Sequence, residues 1–227
     1  MPASLSVIIP TLNAATALPQ TTDALLAGAT DGLIRELVIS DGGSTDQTRD
    51  AARELGALWI SGPPGRGGQI ARGIAASSAP WLLILHADTH LSEGWPDAVR
   101  RHMASSPEVA GYLRLRFRAA GAMPALVAGG ANLRSKWLGL PYGDQGLLIS
   151  RGLLDDIGGY PELPLMEDVA LARRLNRRLR LLDAEAHTSA ERYLRDGWAR
   201  RITQNLGTLL RYLLGADPKK LVTRYSR

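Results

Sequence analysis

The stretch Leu33-Ile34-Arg35-Glu36-Leu37-Val38-Ile39-Ser40-Asp41-Gly42-Gly43-Ser44-Thr45-Asp46 decides the reading of the fold. Leu33 to Ile39 is an apolar-rich run that stops at Ser40-Asp41-Gly42-Gly43, the pattern of a buried strand ending in a polar turn. Ser44 or Thr45 is placed to cap a helix reaching about Leu55. The same unit recurs on both sides. Leu5 to Ile9 is an apolar run ending at Pro10, followed by a helix-like stretch from about Ala15 to Gly28. Ala57 to Ile60 reads as a third strand, Gly62 to Gly68 as a loop, Gln69 to Ala76 as a helix, and Trp81 to Leu85 as a fully apolar strand ending at His86. Strands alternating with helices predict an α/β fold with a parallel sheet covered on both faces. Such sheets bind ligands at the carboxyl ends of their strands. Asn13, Asp41 and Asp88 each fall just past a strand end, so they are expected to share one rim.

The second half is less regular. Gly111 to Arg118 alternates Tyr112, Arg114, Arg116 and Arg118 with Leu113, Leu115 and Phe117, a half-exposed strand with a basic face. Ala119 to Tyr142 is rich in Gly and Ala and resists assignment. Leu147 to Ile149 reads as a strand, Asp168 to Arg177 as a helix, and Leu179 to Leu182 as a strand. Trp198, Ile202, Leu206, Leu209 and Leu213 fall at helical spacing, with Asp196 as the expected cap and Gly215 as the stop.

The 227 residues fit one large domain with a tail, and 45% hydrophobic content excludes global disorder. The absence of cysteine excludes disulfides, zinc–thiolate sites and thiol catalysis. The N-terminus lacks a signal-peptide pattern and no apolar run approaches the ~20 residues that span a bilayer, so a cytoplasmic protein is expected. The net charge of +5 is uneven: Arg192 to Arg227 holds nine Lys/Arg and two Asp/Glu, the rest 18 and 20. A basic tail suits anionic lipid or an acidic partner, or is simply a solvated helix face. Nucleic acid is not an expected partner, because the basic residues do not interleave with stacking aromatics.

Four acidic stations carry the chemistry. Asp88, just past a buried strand, is placed to ligate Mg²⁺ or Mn²⁺ bridging a diphosphate, hard ions that take carboxylate, phosphate and water oxygens. A turn or cap role beside Thr89 and Ser92 is the plainer alternative. His86 is placed either to ligate Mn²⁺ or only to hydrogen-bond. Asp41 could accept from a ribose or base edge, with Gly42 and Gly43 allowing close approach, or could simply organise a turn. Arg66, among Gly65, Gly67 and Gly68, offers a cation on a flexible loop. Glu167-Asp168 opens a helix, where the dipole favours carboxylates; it is either a general base or an ordinary first-turn acid. Asp144 and Gln145 read as a polar clamp on an acceptor or as a tight turn. His187 is a candidate further metal ligand or a structural histidine. Arg192 and Arg195 are placed to neutralise a departing diphosphate, or are tail charges.

Taken in order, the segments from Ser6-Val7-Ile8-Ile9-Pro10-Thr11-Leu12-Asn13 through Glu167-Asp168 resemble the family 2 glycosyltransferases of the GT-A fold. The fragments around His86-Ala87-Asp88, Gly143-Asp144-Gln145-Gly146 and Met166-Glu167-Asp168 look like a small bacterial branch often associated with arsenosugar biosynthesis. The resemblance implies a Rossmann-like, mostly parallel sheet over residues 1–190, with a nucleotide-binding half to about 90 and an acceptor half beyond it. A basic helical segment would follow over 191–227. Pro10, Thr11, Asn13, Asp41 and Ala87 would line the nucleoside pocket, and Arg66 would lie near the nucleotide. Asp88 would be the last Asp of an Asp-X-Asp metal motif whose first position is His86. Asp168 would be the base of an inverting transfer from a nucleoside-diphosphate sugar, UDP-linked by preference and GDP-linked otherwise. Glu167, Asp144, Gln145, His86 and Arg192 would support the acceptor side. The Gln-X-X-Arg-Trp motif of processive members is absent, so a single sugar going to a small-molecule or lipid acceptor is expected.

Two other readings stand beside this one. A sugar nucleotidyltransferase would use a similar sheet, but the chain lacks a convincing Gly-rich signature with a following Arg and Lys near its N-terminus. A catalytically silent nucleotide-sugar binder, touching the inner face of a membrane through Trp198, Arg200 and Arg201, is the third. Packing of that helix on the domain is the simpler use of its apolar face.

Overall fold

The computed structural model describes residues 3–225, so Met1-Pro2 and Ser226-Arg227, at the ends of the expected segments, lie outside it. The first half runs β1 (Leu5–Thr11), α1 (Leu18–Asp23), α2 (Leu26–Thr30), β2 (Ile34–Asp41), α3 (Thr48–Glu54), β3 (Leu58–Ser61), α4 (Arg66–Ala76) and β4 (Trp81–Ile84). The second runs β5 (Thr89–Leu91), α5 (Trp95–Ser105), β6 (Ala110–Phe117), α6 (Ala122–Leu138), a 3-10 turn (Gly143–Gln145), β7 (Leu147–Ser150), α7 (Arg151–Asp156), α8 (Glu167–Leu175), β8 (Leu179–Thr188), α9 (Glu191–Asp196), α10 (Trp198–Leu213) and α11 (Pro218–Tyr225).

One eight-stranded sheet takes the order β3-β2-β1-β4-β7-β6-β8-β5. The β3-β2-β1-β4 half is parallel throughout, as is the β6–β8 pair. β7 enters antiparallel to both neighbours, and β5 is antiparallel to β8. Alternation along β1 feeds two cores. Val7 and Ile9 pack with Leu83, Leu85, Trp95 and Val99 on one face. Ile8 packs with Ile70 of α4, Leu153 and Leu154 of α7, and Leu171 and Leu175 of α8 on the other. A strand buried on both faces is apolar at nearly every position, which is why Leu5 to Ile9 reads as an apolar run; its one polar residue, Ser6, is buried and satisfied by Glu36 and the Ala79 N–H.

Several elements depart from the sequence reading. The single helix expected over Ala15 to Gly28 is two short ones, and at the break the Ala24 carbonyl accepts from the Trp95 indole N–H at 2.9 Å. The unassigned Ala119–Tyr142 stretch holds the 17-residue α6. β8 runs on to Thr188, six residues past the expected end. Asp196 does not cap α10: Gly197 holds the N-cap position, while Asp196 ends α9 and binds Arg195 at 2.8 Å. Gly215, at φ 91°, does end the last turn, its N–H bonding the Tyr212 carbonyl. The C-terminal helices lie on the body of the domain. Trp198 stacks on Tyr193, and both rings meet Phe117 edge-on at the end of β6. Leu209 enters a small core with Leu140, Met166 and Val169.

Candidate active site

The carboxyl ends of β1 and β2 are laced together. Thr11 donates its hydroxyl to Asp41 Oδ1 at 2.9 Å. Asp41 also accepts from the Gly43 and Ser44 backbone N–H groups at 2.8 and 2.7 Å and from the Ser44 hydroxyl. These donors hold the carboxyl below its usual range against the opposing effect of burial. Asp41 therefore organises the 42–44 turn and ties it to Thr11, the turn role that its sequence also allows. Ser44 and Thr45 likewise face this loop instead of capping α3. The Ser44 hydroxyl oxygen accepts from the Asn13 N–H at 2.8 Å, and the Thr45 N–H donates to Asn13 Oδ1 at 2.9 Å. Asn13 occupies the left-handed region at φ 52°, which asparagine tolerates, and stays exposed; Pro10 is half-buried in β1.

A residue the sequence reading passed over joins this rim to the rest of the site. Gln69, one turn into α4 and buried, donates to the Thr11 carbonyl at 2.7 Å and to the Ser40 carbonyl at 3.1 Å. Its only sequence signal is an amide on an otherwise apolar helix face. Arg66 is also on α4, not on a flexible loop: the helix begins at Arg66 itself. The glycine-rich composition hid that start. Gly67 is needed because a Cβ there would fall 2.5 Å from the carbonyl oxygens of both Pro161 and Leu163, so α4 lies directly against the 161–163 segment.

That approach brings Arg66 to the acidic pair. Its guanidinium binds Glu167 directly and lies 3.9 Å from Asp168 Oδ2. Glu167 is 1% exposed; burial raises its carboxyl and Arg66 opposes that. Asp168 Oδ2 accepts from the Gly143 N–H at 2.9 Å, and Oδ1 from its own helix at Val169 N–H, 2.8 Å. Met166 precedes the pair at φ 63°, an uncommon conformation for a side chain of its size and of the kind found at functional sites. Tyr160, which carries no distinguishing motif in the sequence, borders Arg66, Glu167 and Asp168, and burial lifts its phenol well above the ordinary value.

Across from the pair lies the His86-Ala87-Asp88 turn, fixed by a Thr21 hydroxyl donating to the Ala87 carbonyl at 2.6 Å. His86 Nε2 is buried without a protein hydrogen-bond partner. Burial, with Arg66 and Arg192 nearby, pushes the imidazole down to about 3, so it is neutral with a free lone pair. A Cβ on Gly143 would lie 2.5 Å from that nitrogen, so His86 and the 143–145 turn touch through the missing side chain. Burial raises Asp88, while Arg192, then Arg118 and Arg66, pull it back. Asp144 belongs to the same group: one oxygen is buried and unpartnered, and burial with Asp168 nearby pushes the carboxyl up to about 6 against Arg134.

Other expected residues fall elsewhere. Gln145 is fully buried, accepts from Ser135 and donates to the Leu113 carbonyl at 3.1 Å, so it ties the turn to α6 and β6 and clamps no acceptor. His187, in β8 opposite His90, pairs with Glu185 at 3.2 Å. Among the described residues no three His, Asp or Glu side chains gather as a metal cage. The ring nitrogen of His187 is turned to Glu185. Arg195 is bound to Asp196, whereas Arg192 is exposed on α9 and acts on Asp88 and His86. Of the three residues expected at a membrane, Trp198 and Arg201 are held inward, Arg201 buried and Trp198 in the aromatic cluster, while Arg200 is exposed.

Residues 6–125, more than half of the chain, match the glycosyl transferase family 2 profile, and the chain belongs to that family. It is 42% identical over 95 residues to a PGL/p-HBAD biosynthesis glycosyltransferase of Mycobacterium tuberculosis, covering 39% of this chain and 36% of that protein. Over 94 residues it is 31% identical to glucosyl-3-phosphoglycerate synthase of the same organism, covering 37% and 29%. The chain thus matches about a third of the length of these curated relatives. The crystal structure of that synthase with Mn²⁺ and UDP-glucose superposes with a TM-score of 0.58 at 22% identity, over 90% of this chain and 78% of the other. Staphylococcus aureus TarS 1-349 gives 0.62 at 16% identity, over 81% and 60%. These likenesses establish the GT-A-type fold. None of these names concerns arsenosugar biosynthesis, the narrower branch expected from the sequence.

Proposed function

We propose that the protein transfers a single sugar from a nucleoside-diphosphate sugar to a hydroxyl of a small-molecule or lipid acceptor, with inversion. The observation that carries this reading is the placement of Asp168: a carboxylate at a helix N-terminus, fixed by the Gly143 N–H at 2.9 Å and sharing one group with Asp88 and Asp144. A base held in one orientation opposite a strand-end carboxylate is the arrangement in-line displacement needs. The relatives' names favour a UDP-linked donor, since the synthase was crystallised with UDP-glucose and Mn²⁺; a GDP-linked donor is the alternative.

The donor atoms fit a divalent ion shared with substrate and not a protein-only cage. Asp88 supplies the carboxylate, and the unpartnered Nε2 of His86 is a second donor. Mn²⁺ or Mg²⁺ bound there would draw negative charge from a diphosphate. The chain's own residues supply the rest. Asp168 accepts the proton of the acceptor hydroxyl, whose oxygen attacks the anomeric carbon as the bond to the diphosphate oxygen breaks. Arg192 and Arg118, both acting on Asp88, face the leaving group and stabilise its charge. The Asp41 and Asn13 loops shape the nucleoside side through backbone atoms.

The test is donor turnover with UDP-glucose and other nucleotide sugars, with and without acceptors, in wild type and Asp168→Asn. Loss of transfer with retained nucleotide binding supports the assignment. Near wild-type turnover in Asp168→Asn would remove it. The anomeric configuration of the product, read by NMR, tests inversion.

A further inference from the structure

The most unusual surface of the molecule lies away from the site. α6 turns small and polar residues inward: Pro124, Ala128 and Ser135 are buried, and Asn132 bonds the Leu115 N–H and carbonyl at 2.8 and 3.1 Å. Its large apolar side chains point out, with Leu126 68%, Leu133 58% and Trp137 66% exposed. This inverts the usual amphipathic pattern. α10 adds a second stripe, with Leu206, Leu210 and Leu213 exposed at one-face spacing. The segments that flank α6 both reach α10. α6 starts just after Phe117, on which Trp198 at the start of α10 packs. Leu140, just past the end of α6, shares a core with Leu209 of α10. Apolar exposure of this extent marks an interaction surface.

Charge decides what covers it. From Ala119 to Gly143 and from Gly197 to Ala216 there is no Asp or Glu, while Lys136, Arg200 and Arg211 lie there exposed; Arg134 and Arg201 in the same stretches turn inward. Lys219 and Lys220 follow, exposed, after a single exposed acid, Asp217. A two-fold contact between copies would set these cations against their own equivalents. An anionic bilayer meets both features at once: leucines and a tryptophan enter the headgroup boundary, and cations lie among the phosphates. We propose that α6 and α10 together seat this protein on an anionic lipid surface. This keeps the expected C-terminal helix with Arg200 but adds α6 and moves the contact away from Trp198 and Arg201, which the fold uses internally, and it does not depend on the catalytic reading.

The experiment is flotation of the full chain with phosphatidylcholine vesicles, with and without about 30% phosphatidylglycerol. The protein should float with the anionic vesicles. Leu126→Glu with Leu210→Glu should weaken binding by about tenfold or more, through lost apolar burial and added repulsion. Leu26→Glu, exposed on α2, serves as control and should bind like wild type. Brominated lipid should quench tryptophan emission, and Trp137→Phe should remove most of that quenching. Circular dichroism and UDP titration of each variant separate a folding defect or a failed catalytic reading from a failed lipid reading. Absence of flotation at low salt, or unchanged flotation of the double variant, overturns the proposal. So does a concentration-dependent dimer dispersed by the same substitutions, which assigns the face to a second copy.

Discussion

Arg66 and Glu167 are the first residues of α4 and α8, and their side chains pair across 101 residues of chain, tying two helix N-termini together beneath the candidate base. A cation at a helix N-terminus opposes the helix dipole, and a carboxylate there is favoured, so each residue corrects the other's environment. Asp168, next in sequence, inherits its position from this pair.

Removing Arg66 should therefore be costly in a way that removing both partners is not. Arg66→Met leaves a buried carboxylate uncompensated and should destabilise by about 3 kcal/mol, whereas Arg66→Met with Glu167→Met should cost clearly less. Urea unfolding of the two single variants and the double variant measures this. A double variant as unstable as the sum of the singles would deny that the pair acts as a unit.

Gly143 is predicted to tolerate no side chain. An alanine Cβ would stand 2.5 Å from His86 Nε2, and the same residue's N–H holds Asp168. Gly143→Ala should lower kcat by about tenfold or more, since ångström-scale misplacement of a catalytic group has effects of this size. Unfolding should change less. Adding His86→Ser opens the space and should restore part of kcat; no recovery would separate Gly143 from His86.

The fold should also carry a pH signature of opposite signs. Asp144 is raised from 3.8 to about 6 by burial, so the unfolded chain loses its proton first. Its contribution to stability is complete below about pH 4 and is lost as pH rises through 6. His86 is lowered from 6.5 to about 3, so its contribution is complete above 6.5 and is lost as pH falls toward 3. Asp144→Asn should accordingly stabilise by about 1–3 kcal/mol near pH 8 and by almost nothing near pH 4. Thermal unfolding at both pH values checks this; an equal shift at both would contradict the burial of Asp144.

The strand ends were readable because doubly buried strands are uniformly apolar and their exits are polar. That put Asn13, Asp41 and Asp88 at or just past strand ends, while Asp168 was read from the helix it helps to open. What each side chain does was less readable. Asp41 allows either an open acceptor or a turn in sequence, and only the folded turn shows Thr11, Gly43 and Ser44 using its lone pairs. Gln145 reads as a polar clamp or part of a tight turn and is a buried bridge, since its partners Ser135 and Leu113 come from distant elements. α6 escaped detection because its inner face is small and polar and its outer face apolar, the reverse of the pattern that marks a helix. Arg66 was set on a loop because glycine-rich composition resembles a loop, although Gly67 serves close packing instead.

The most direct test of the central claim is calorimetric titration of UDP and GDP, with and without Mn²⁺, into wild type, Asp88→Asn and Asp168→Asn. The account predicts Mn²⁺-dependent binding of one nucleotide to wild type, retained in Asp168→Asn and lost in Asp88→Asn. Absence of binding by either nucleotide to wild type, with or without Mn²⁺, would contradict it.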